Sequence, residues 1–213
     1  MCPRTKEQFE LIRENKKEQI ILAAIECFGT QGYYSVTISQ LAKYAGISKG
    51  LLYNYYASKD ELLIAIHKKA FIMLYDKINY DVEMTDTPLD RCKKMAYAFV
   101  EFGTNNINIY DIMFNRPIRQ HSDYIGTPQE EISFDEFRSS LKGLFYAIKI
   151  IKEYRETRPN LNPVDPKFLA IQSISALHGI ISLQNSGILY QISDDPDITL
   201  KTIIDNAMSC VTG

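Results

Sequence analysis

The chain has 213 residues, of which 46% are hydrophobic, and its formal net charge is −2. This length and apolar content allow one or two domains with a buried core, and the near-neutral charge excludes a general polyanion binder. No stretch approaches the run of about 18 apolar residues that spans a membrane, and the charged N-terminus lacks a signal-peptide core. We therefore expect a soluble, cytoplasmic protein without a membrane partner.

Charge is unevenly distributed along the chain, and the cysteines are scattered. Residues 1–59 carry a balance of +3, whereas the rest of the chain carries −5. The cysteines show no C-x-x-C spacing, which favours a reducing compartment over a disulfide framework or a zinc site; they are Cys2, Cys27, Cys92 and Cys210. A redox sensor, the alternative interpretation, would need a reactive thiolate among them.

The N-terminal region predicts one helix after an irregular start. Residues 1–12 contain a proline and mixed charges, so we expect partial disorder there. A helix is predicted over about 13–28, because an apolar stripe is followed by helix-ending glycines: Ile20, Ile21, Ala24, Ile25 and Phe28, then Gly29 and Gly32. The start of this helix is basic, which fits either a solvated face or contact with a polyanion: Arg13, Lys16 and Lys17.

Three helix starts follow within a short stretch. Thr37 with Gln40 has the T-x-x-Q spacing of a capping box, and Ser58 with Glu61 has S-x-x-E. Ser48, between them, can cap a helix by itself. The spacing predicts helices over 38–45 and 49–56, and a third that begins at Ser58.

A tight turn joins the first two of these helices. Gly46 follows the helix over 38–45, at the position where a left-handed residue commonly ends a helix. Two short helices joined in this way are typical of a helix-turn-helix motif. An ordinary helical hairpin is the alternative, in which the tyrosines are only surface or core residues.

The second short helix has one buried face and one exposed face. At about 100° per residue, Leu52 and Tyr56 point inward together. The opposite face is then formed by Gly50, Leu51, Tyr53 and Asn54. A glycine in the first turn allows a close approach of backbone to another surface.

The side chains of this region suit double-stranded DNA. Lys49, with the free N–H groups of the first turn, suits a phosphate. Asn54 can pair with a base edge, and Leu51 can contact a thymine methyl group. Tyr53 and Tyr55 can reach phosphate oxygens through their hydroxyls.

The whole stretch resembles the DNA-binding domain of TetR-type transcriptional regulators. The residues that carry the resemblance are Thr37-Ile38-x-x-Leu41-Ala42-x-x-Ala45-Gly46-Ile47-Ser48-x-Gly50-x-Leu52-Tyr53-x-Tyr55-Tyr56-x-x-Lys59-x-x-Leu62. Tyr55 stands where the family often has His, and Tyr56 where it often has Phe. The DNA contacts predicted from the residues and the resemblance together are Thr37, Ser48, Lys49, Gly50, Leu51, Tyr53, Asn54, Tyr55 and Lys59.

The rest of the chain reads as helical, which makes the prediction all-α. Helices are predicted over 58–79, 88–103, 107–114, about 134–158, 166–187 and 196–211, with a loop at 81–87 and a mobile loop at 116–132. The last two begin with Asp165-Pro166 and Asp195-Pro196, in which Asp caps the helix and Pro takes its first position.

The resemblance implies two domains and two partners. A DNA-binding domain over 1–57 would precede a helical effector-binding and dimerisation domain over 58–213, with the helix at 58–79 linking them. The helices at 166–187 and 196–211 would form the homodimer interface, and Ala176-Leu177-His178-Gly179 is similar to a pattern in one group of family C-terminal domains. Polar groups for a small-molecule effector can come from Tyr97, Asn106, Tyr110 and His178, although we assign no ligand site.

One sequence pattern indicates an enzyme instead of a DNA-binding regulator. Gly46-Ile47-Ser48-Lys49-Gly50 matches the G-x-S-x-G of serine hydrolases, and Asp165 and His178 follow in the order of a triad. That elbow needs a buried strand before the serine, whereas a short capped helix precedes Ser48 here. The histidines have no metal-ligand spacing, so we predict no enzymatic activity, no metal and no cofactor.

We therefore predict a dimeric, sequence-specific DNA-binding regulator, an effector-released repressor on a palindromic operator. Two-fold symmetry would place the half-sites about 34–36 Å apart, or at a multiple of that distance. The alternatives are an architectural DNA-binding protein without an effector and the serine hydrolase.

Overall fold

Helices are the only regular secondary structure in the parts of the chain that the computed structural model describes, residues 5–82, 86–115 and 119–212, and this confirms the all-α prediction. Residues 83–85 and 116–118, which fall in the two predicted loops, and Cys2 lie outside these ranges. The α-helices are α1 (Lys6–Gln31), α2 (Ile38–Tyr44), α3 (Lys49–Tyr55), α4 (Lys59–Asp81), α5 (Pro88–Asn105), α6 (Ile107–Tyr110), α7 (Glu130–Ser140), α8 (Lys142–Glu156), α9 (Pro166–Asn185), α10 (Leu189–Ile192), α11 (Pro196–Ala207) and α12 (Ser209–Thr212).

Helix α1 begins earlier than the sequence reading suggested. Thr5 caps it: the Thr5 hydroxyl accepts from the Gln8 amide at 3.3 Å, and Gln8 Oε1 accepts from the Thr5 amide at 3.0 Å. This reciprocal capping box makes residues 6–12 helical, so the expectation of disorder there was wrong. The missed signal was a second T-x-x-Q pattern.

The chain divides into two compact units. The first contains residues 1–70 and 111–137, and the second contains residues 71–110 and 138–213. Helix α4 contributes residues to both. The boundary that we inferred between residues 57 and 58 stays a prediction.

In the first unit, α1 packs on α2, α2 packs on α3, and a π-helical turn (Asp111–Asn115) lies against α1. Its apolar side chains include several that are almost fully buried: Ile20, Phe28, Leu41, Leu52, Leu62 and Ile66. Val36, just before α2, is also buried next to this core. These contacts hold the short helices α2 and α3, which are too short to be stable by themselves.

Residues 119–137, which we call the docking segment, also belong to the first unit. The segment opens with a 3₁₀ turn (His121–Tyr124) and continues into α7. Tyr124 is only 1% exposed, and Arg119 forms an ion pair with Asp60 of α4 at 2.6 Å. The expectation of a mobile loop over 116–132 is therefore wrong for residues 119–132, because Arg119 pairs with α4 and Tyr124 is buried.

In the second unit, α5 packs on α8 and α9, α8 packs on α9, and α9 packs on α11. The Ser173 hydroxyl donates to the Ala207 carbonyl at 3.0 Å and ties α9 to the end of α11. The Asn185 amide donates to the Gly103 carbonyl at 3.1 Å and ties α9 to α5. Both predicted Asp-Pro starts are present, with Asp165 and Asp195 as N-caps.

Three helices differ in extent from the prediction. The single helix over 134–158 is divided at Leu141, which keeps near-helical angles (φ −83°, ψ −12°). Ser139, Ser140 and Gly143 surround this point, and all three have low helix propensity. The helix over 107–114 is α-helical only to Tyr110, and the last helix is divided at Met208.

None of the helices in the described part of the chain is long and apolar enough to cross a membrane.

Candidate nucleic-acid interface

The turn between α2 and α3 is fixed by backbone hydrogen bonds. Gly46 has a φ of +66°, the left-handed conformation that favours glycine. The Ile47 amide donates to the Ala42 carbonyl at 2.9 Å, and the Gly46 amide donates to the Lys43 carbonyl at 3.2 Å. This pair of bonds is a Schellman motif, and it sets the direction in which the chain enters α3.

Side-chain caps fix where α2 and α3 begin. The Thr37 hydroxyl accepts from the Gln40 amide at 3.2 Å, and Gln40 Oε1 accepts from the Thr37 amide at 2.7 Å. The Ser48 hydroxyl accepts from the Leu51 amide at 3.1 Å. Thr37 and Ser48, both predicted DNA contacts, are exposed, and their hydroxyls already serve as caps.

Helix α3 presents the predicted faces. Leu52 is 0% exposed and Tyr56 is 5% exposed, so both belong to the core. Burial raises the pKa of Tyr56 to about 12, which keeps its hydroxyl neutral. The structure brings most of the predicted contacts together on the outer face: Lys49, Gly50, Leu51, Tyr53 and Asn54 are exposed, and Tyr55 is half-buried.

Gly50 has no packing reason to be glycine. A Cβ added there would meet no atom within 4 Å, and its φ is not positive. Glycine in a helix interior costs about 1 kcal/mol relative to alanine. The first turn of α3 therefore exposes bare backbone at a position where the fold itself does not need it.

Two polar side chains of α3 remain available for a ligand. Asn54 is exposed, and its side chain forms no hydrogen bond to another described residue. The Lys49 ammonium lies 5.9 Å from the centroid of the Tyr53 ring, a weak cation–π contact that leaves its donors free. An exposed amide and an exposed ammonium on the same short helix can contact a base edge and a phosphate, respectively.

Lys59 is held more firmly than the sequence suggested. Its ammonium donates to the Tyr33 carbonyl and lies 4.1 Å from the centroid of the Tyr33 ring. It also lies 5.8 Å from the centroid of the Phe28 ring. Burial lowers the pKa of Lys59, and the neighbouring Asp60 carboxylate partly opposes that shift.

Asp60 and Arg119 were missed in the sequence reading. Asp60 accepts from the Tyr33 hydroxyl through Oδ1 and from Arg119 through Oδ2. Burial and the Asp60 carboxylate both raise the pKa of Tyr33, so its hydroxyl stays protonated. No local pattern connects these residues, because Arg119 and Asp60 are 59 positions apart.

The hydrolase interpretation does not fit the local structure. Helix α2, not a strand, precedes Ser48, and the Ser48 hydroxyl serves as the N-cap of α3. Asp165 accepts from the Lys167 amide at 2.8 Å as the N-cap of α9. The G-x-S-x-G pattern is thus explained by the turn and the cap.

The candidate effector groups lie in the second unit. The Tyr110 hydroxyl is hydrogen-bonded to His178 Nδ1, and the His178 ring packs edge-on against Phe99 with centroids 5.2 Å apart. Burial lowers the pKa of His178 and raises the pKa of Tyr110, so both are neutral near pH 7. The Tyr97 hydroxyl donates to Asp205 at 3.0 Å.

Asn106, the fourth candidate effector group, donates from its side chain to the Phe102 carbonyl at 3.0 Å. It also borders a cavity of about 220 Å³ lined by Met73, Lys77, Glu101, Phe102, Asn105 and Asn106.

Comparison with known proteins finds a family-model match in the N-terminal part of the chain. Residues 20–66 match the family model described as bacterial regulatory proteins, tetR family. The chain is 35% identical over 86 residues to the HTH-type transcriptional regulator HbdR of Aromatoleum sp. (strain CIB), which is 40% of this chain and 38% of that protein. It is 28% identical over 119 residues to the HTH-type transcriptional activator FasR of Mycolicibacterium smegmatis, 56% of this chain and 52% of that protein. The matches thus span between two-fifths and about half of these relatives.

The likeness extends further in structure than in sequence. The fold is similar to that of the TetR family transcriptional regulator PfmR from Thermus thermophilus, with a TM-score of 0.65 and 19% identity. The match covers 91% of this chain and 97% of that one. The helical architecture is therefore shared beyond the N-terminal region.

Proposed function

We propose that this chain, of which residues 20–66 match the model of the TetR family of bacterial regulatory proteins, is a sequence-specific DNA-binding transcriptional regulator without enzymatic activity. It would act in the cytoplasm as a repressor that an effector releases. Each protomer would place α3 in a major groove. Lys49, Tyr53 and Tyr55 would set affinity through phosphates, and Leu51 and Asn54 would set sequence preference.

The exposed face of α3 is the observation that carries this proposal. It combines a fixed turn, a capped start, an unpaired amide at Asn54 and bare backbone at Gly50. Close approach to a DNA backbone explains the glycine, which intrachain packing does not. Thr37, Ser48 and Lys59 would add contacts at the edges of this face.

The second unit supports a homodimer. The outward stripe of α9 has apolar residues at one end and small residues along the rest: Phe168, Ile171, Ser175, Ala176, Gly179 and Ser182 are all exposed. A Cβ added at Gly179 would meet no atom within 4 Å, so a second helix has room to approach closely. A two-fold dimer through α9 and α11 would present two α3 helices to a palindromic operator with half-sites about 34–36 Å apart, or a multiple of that distance.

A small-molecule effector would act through the second unit. Such a molecule must bind the DNA-incompetent state more tightly than the competent one, because equal affinity shifts no population. The Tyr110–His178 pair and the cavity beside Asn106 offer polar groups among apolar walls. Because the similar protein FasR is an activator, a transcription assay on the operator decides between repression and activation.

Selection of bound duplexes from a random DNA pool tests the proposal. A regulator should enrich a two-fold symmetric consensus with purified wild-type protein. An architectural DNA-binding protein, the second candidate, would bind the pool without enriching any motif. A chain that binds no DNA, with or without added metabolite extract, would contradict the proposed function.

A further inference from the structure

We propose that Arg119 is a positioning residue for DNA binding, which orients the Lys59 ammonium without contacting DNA itself. This inference rests on the proposed function. Arg119 acts through Asp60 and Tyr33, so four side chains of the first unit form one relay.

Asp60 is the shared acceptor in this relay. Its Oδ2 atom accepts from Arg119 Nη1 at 2.6 Å, and its Oδ1 atom accepts from the Tyr33 hydroxyl. Tyr33 in turn makes two contacts with the Lys59 ammonium: its carbonyl oxygen accepts a hydrogen bond, and the face of its ring makes a cation–π contact. A shift of Asp60 therefore changes the position of Tyr33 and, with it, the position of the Lys59 ammonium.

The Lys59 ammonium keeps donors for a second partner. It has three N–H groups, and the Tyr33 carbonyl takes one of them. A free lysine side chain loses rotamer entropy when it is fixed. Lys59 has lost part of that freedom before DNA arrives, so a phosphate contact made with its remaining donors costs less.

The Arg119 side chain also contacts an aromatic ring of the docking segment. Its guanidinium carbon lies 5.1 Å from the centroid of the Tyr124 ring, and Tyr124 is buried. Farther along the docking segment, an ion pair joins Lys68 to Asp135, and His67 Nδ1 lies 3.8 Å from a Glu136 carboxylate oxygen. These hold the same segment on α4 without involving Asp60, which makes Lys68 a matched control.

A double-mutant cycle on a selected operator tests the relay. Arg119→Ala should weaken binding by up to about fivefold, the upper end of what an exposed ion pair contributes. In a Lys59→Ala background, the same change should have no further effect, because the group that it orients is gone. Arg119→Lys should restore part of the loss, and Lys68→Ala should bind like wild type. Thermal unfolding of each variant checks that the fold is retained.

The outcomes separate this inference from the proposed function. Equal binding by wild type and Arg119→Ala overturns the relay while the proposed function stands. A loss that persists in the Lys59→Ala background, or that Lys68→Ala reproduces, assigns the effect to general docking of the segment and also overturns it. A wild-type chain that enriches no operator overturns both.

Discussion

Gly50 exposes backbone in the first turn of α3, where an added Cβ would meet no other atom of the chain within 4 Å. Gly50→Ala should raise the free energy of unfolding by up to about 1 kcal/mol, because alanine favours the helix. The same change should weaken operator binding, because the methyl group would occupy the space that a DNA backbone needs. Denaturant unfolding and fluorescence anisotropy on the selected operator measure the two effects.

Gly50→Ala is informative because it should raise stability while it weakens operator binding. A destabilised Gly50→Ala protein would mean that the glycine serves the fold. A stabilised protein that binds DNA as tightly as wild type would remove the close approach from the interface.

Lys49 should contribute a phosphate contact and no sequence information. Lys49→Ala should weaken binding to operator and random DNA alike, and should reduce the slope of log K against log salt by about 0.9 per protomer. The measurement is a salt titration of both duplexes. Lys142→Ala, an exposed lysine change in α8, serves as the control and should leave the slope unchanged. A wild-type slope in Lys49→Ala would exclude the phosphate role.

At the scale of the element, the start of α3 depends on Ser48. Ser48→Ala removes the acceptor for the Leu51 amide and should lower the free energy of unfolding by about 1 kcal/mol. Ser48→Asp keeps an acceptor there and should recover that stability. If Ser48 lies against a phosphate as proposed, the aspartate should nevertheless weaken DNA binding, because its charge repels the phosphate.

Calorimetry and operator binding on the two variants separate the cap from the contact. Full operator affinity in a stable Ser48→Asp protein would limit Ser48 to its capping role.

Local patterns in the sequence were sufficient for much of this architecture. The starts of α2, α3, α9 and α11 follow from cap residues within three positions of the amides that they accept from, and the structure confirms each of them. The Gly46 turn was predictable for the same reason. The start of α1 at Lys6 was missed although its pattern was equally local.

Other features depend on contacts between distant parts of the chain. The docking segment has turn residues and a proline, which suggested mobility, but Arg119 reaches Asp60 across 59 positions. Lys59 was predicted only as a DNA contact, because its contacts with Tyr33 are also nonlocal. Its hold on Tyr33 becomes visible only when the first unit is folded.

At the scale of the whole molecule, composition indicated little beyond a chain of near-neutral charge that can bury a core and has a basic N-terminal region. The balance of +3 over residues 1–59 against −5 elsewhere agrees in sign with DNA binding by the N-terminal region, since phosphates attract that end. Apolar positions on more than one face of α9 predicted a second side that a partner would cover, and Phe168 and Ile171 of this helix are exposed. Dimerisation would bring two α3 helices to one operator. The pair would contact more base pairs than a single short helix and could therefore select a unique site.

Chemical footprinting of the selected operator is the measurement that tests the DNA-reading role of α3 most directly. With wild-type protein, dimethyl sulfate should be excluded from guanine N7 in two major-groove patches about 34–36 Å apart, or a multiple of that distance. In a parallel selection, Asn54→Ala should lose discrimination at one base position in each half-site while keeping both patches. Protection confined to adenine N3 in the minor groove, or a single patch, would contradict major-groove reading by a pair of α3 helices.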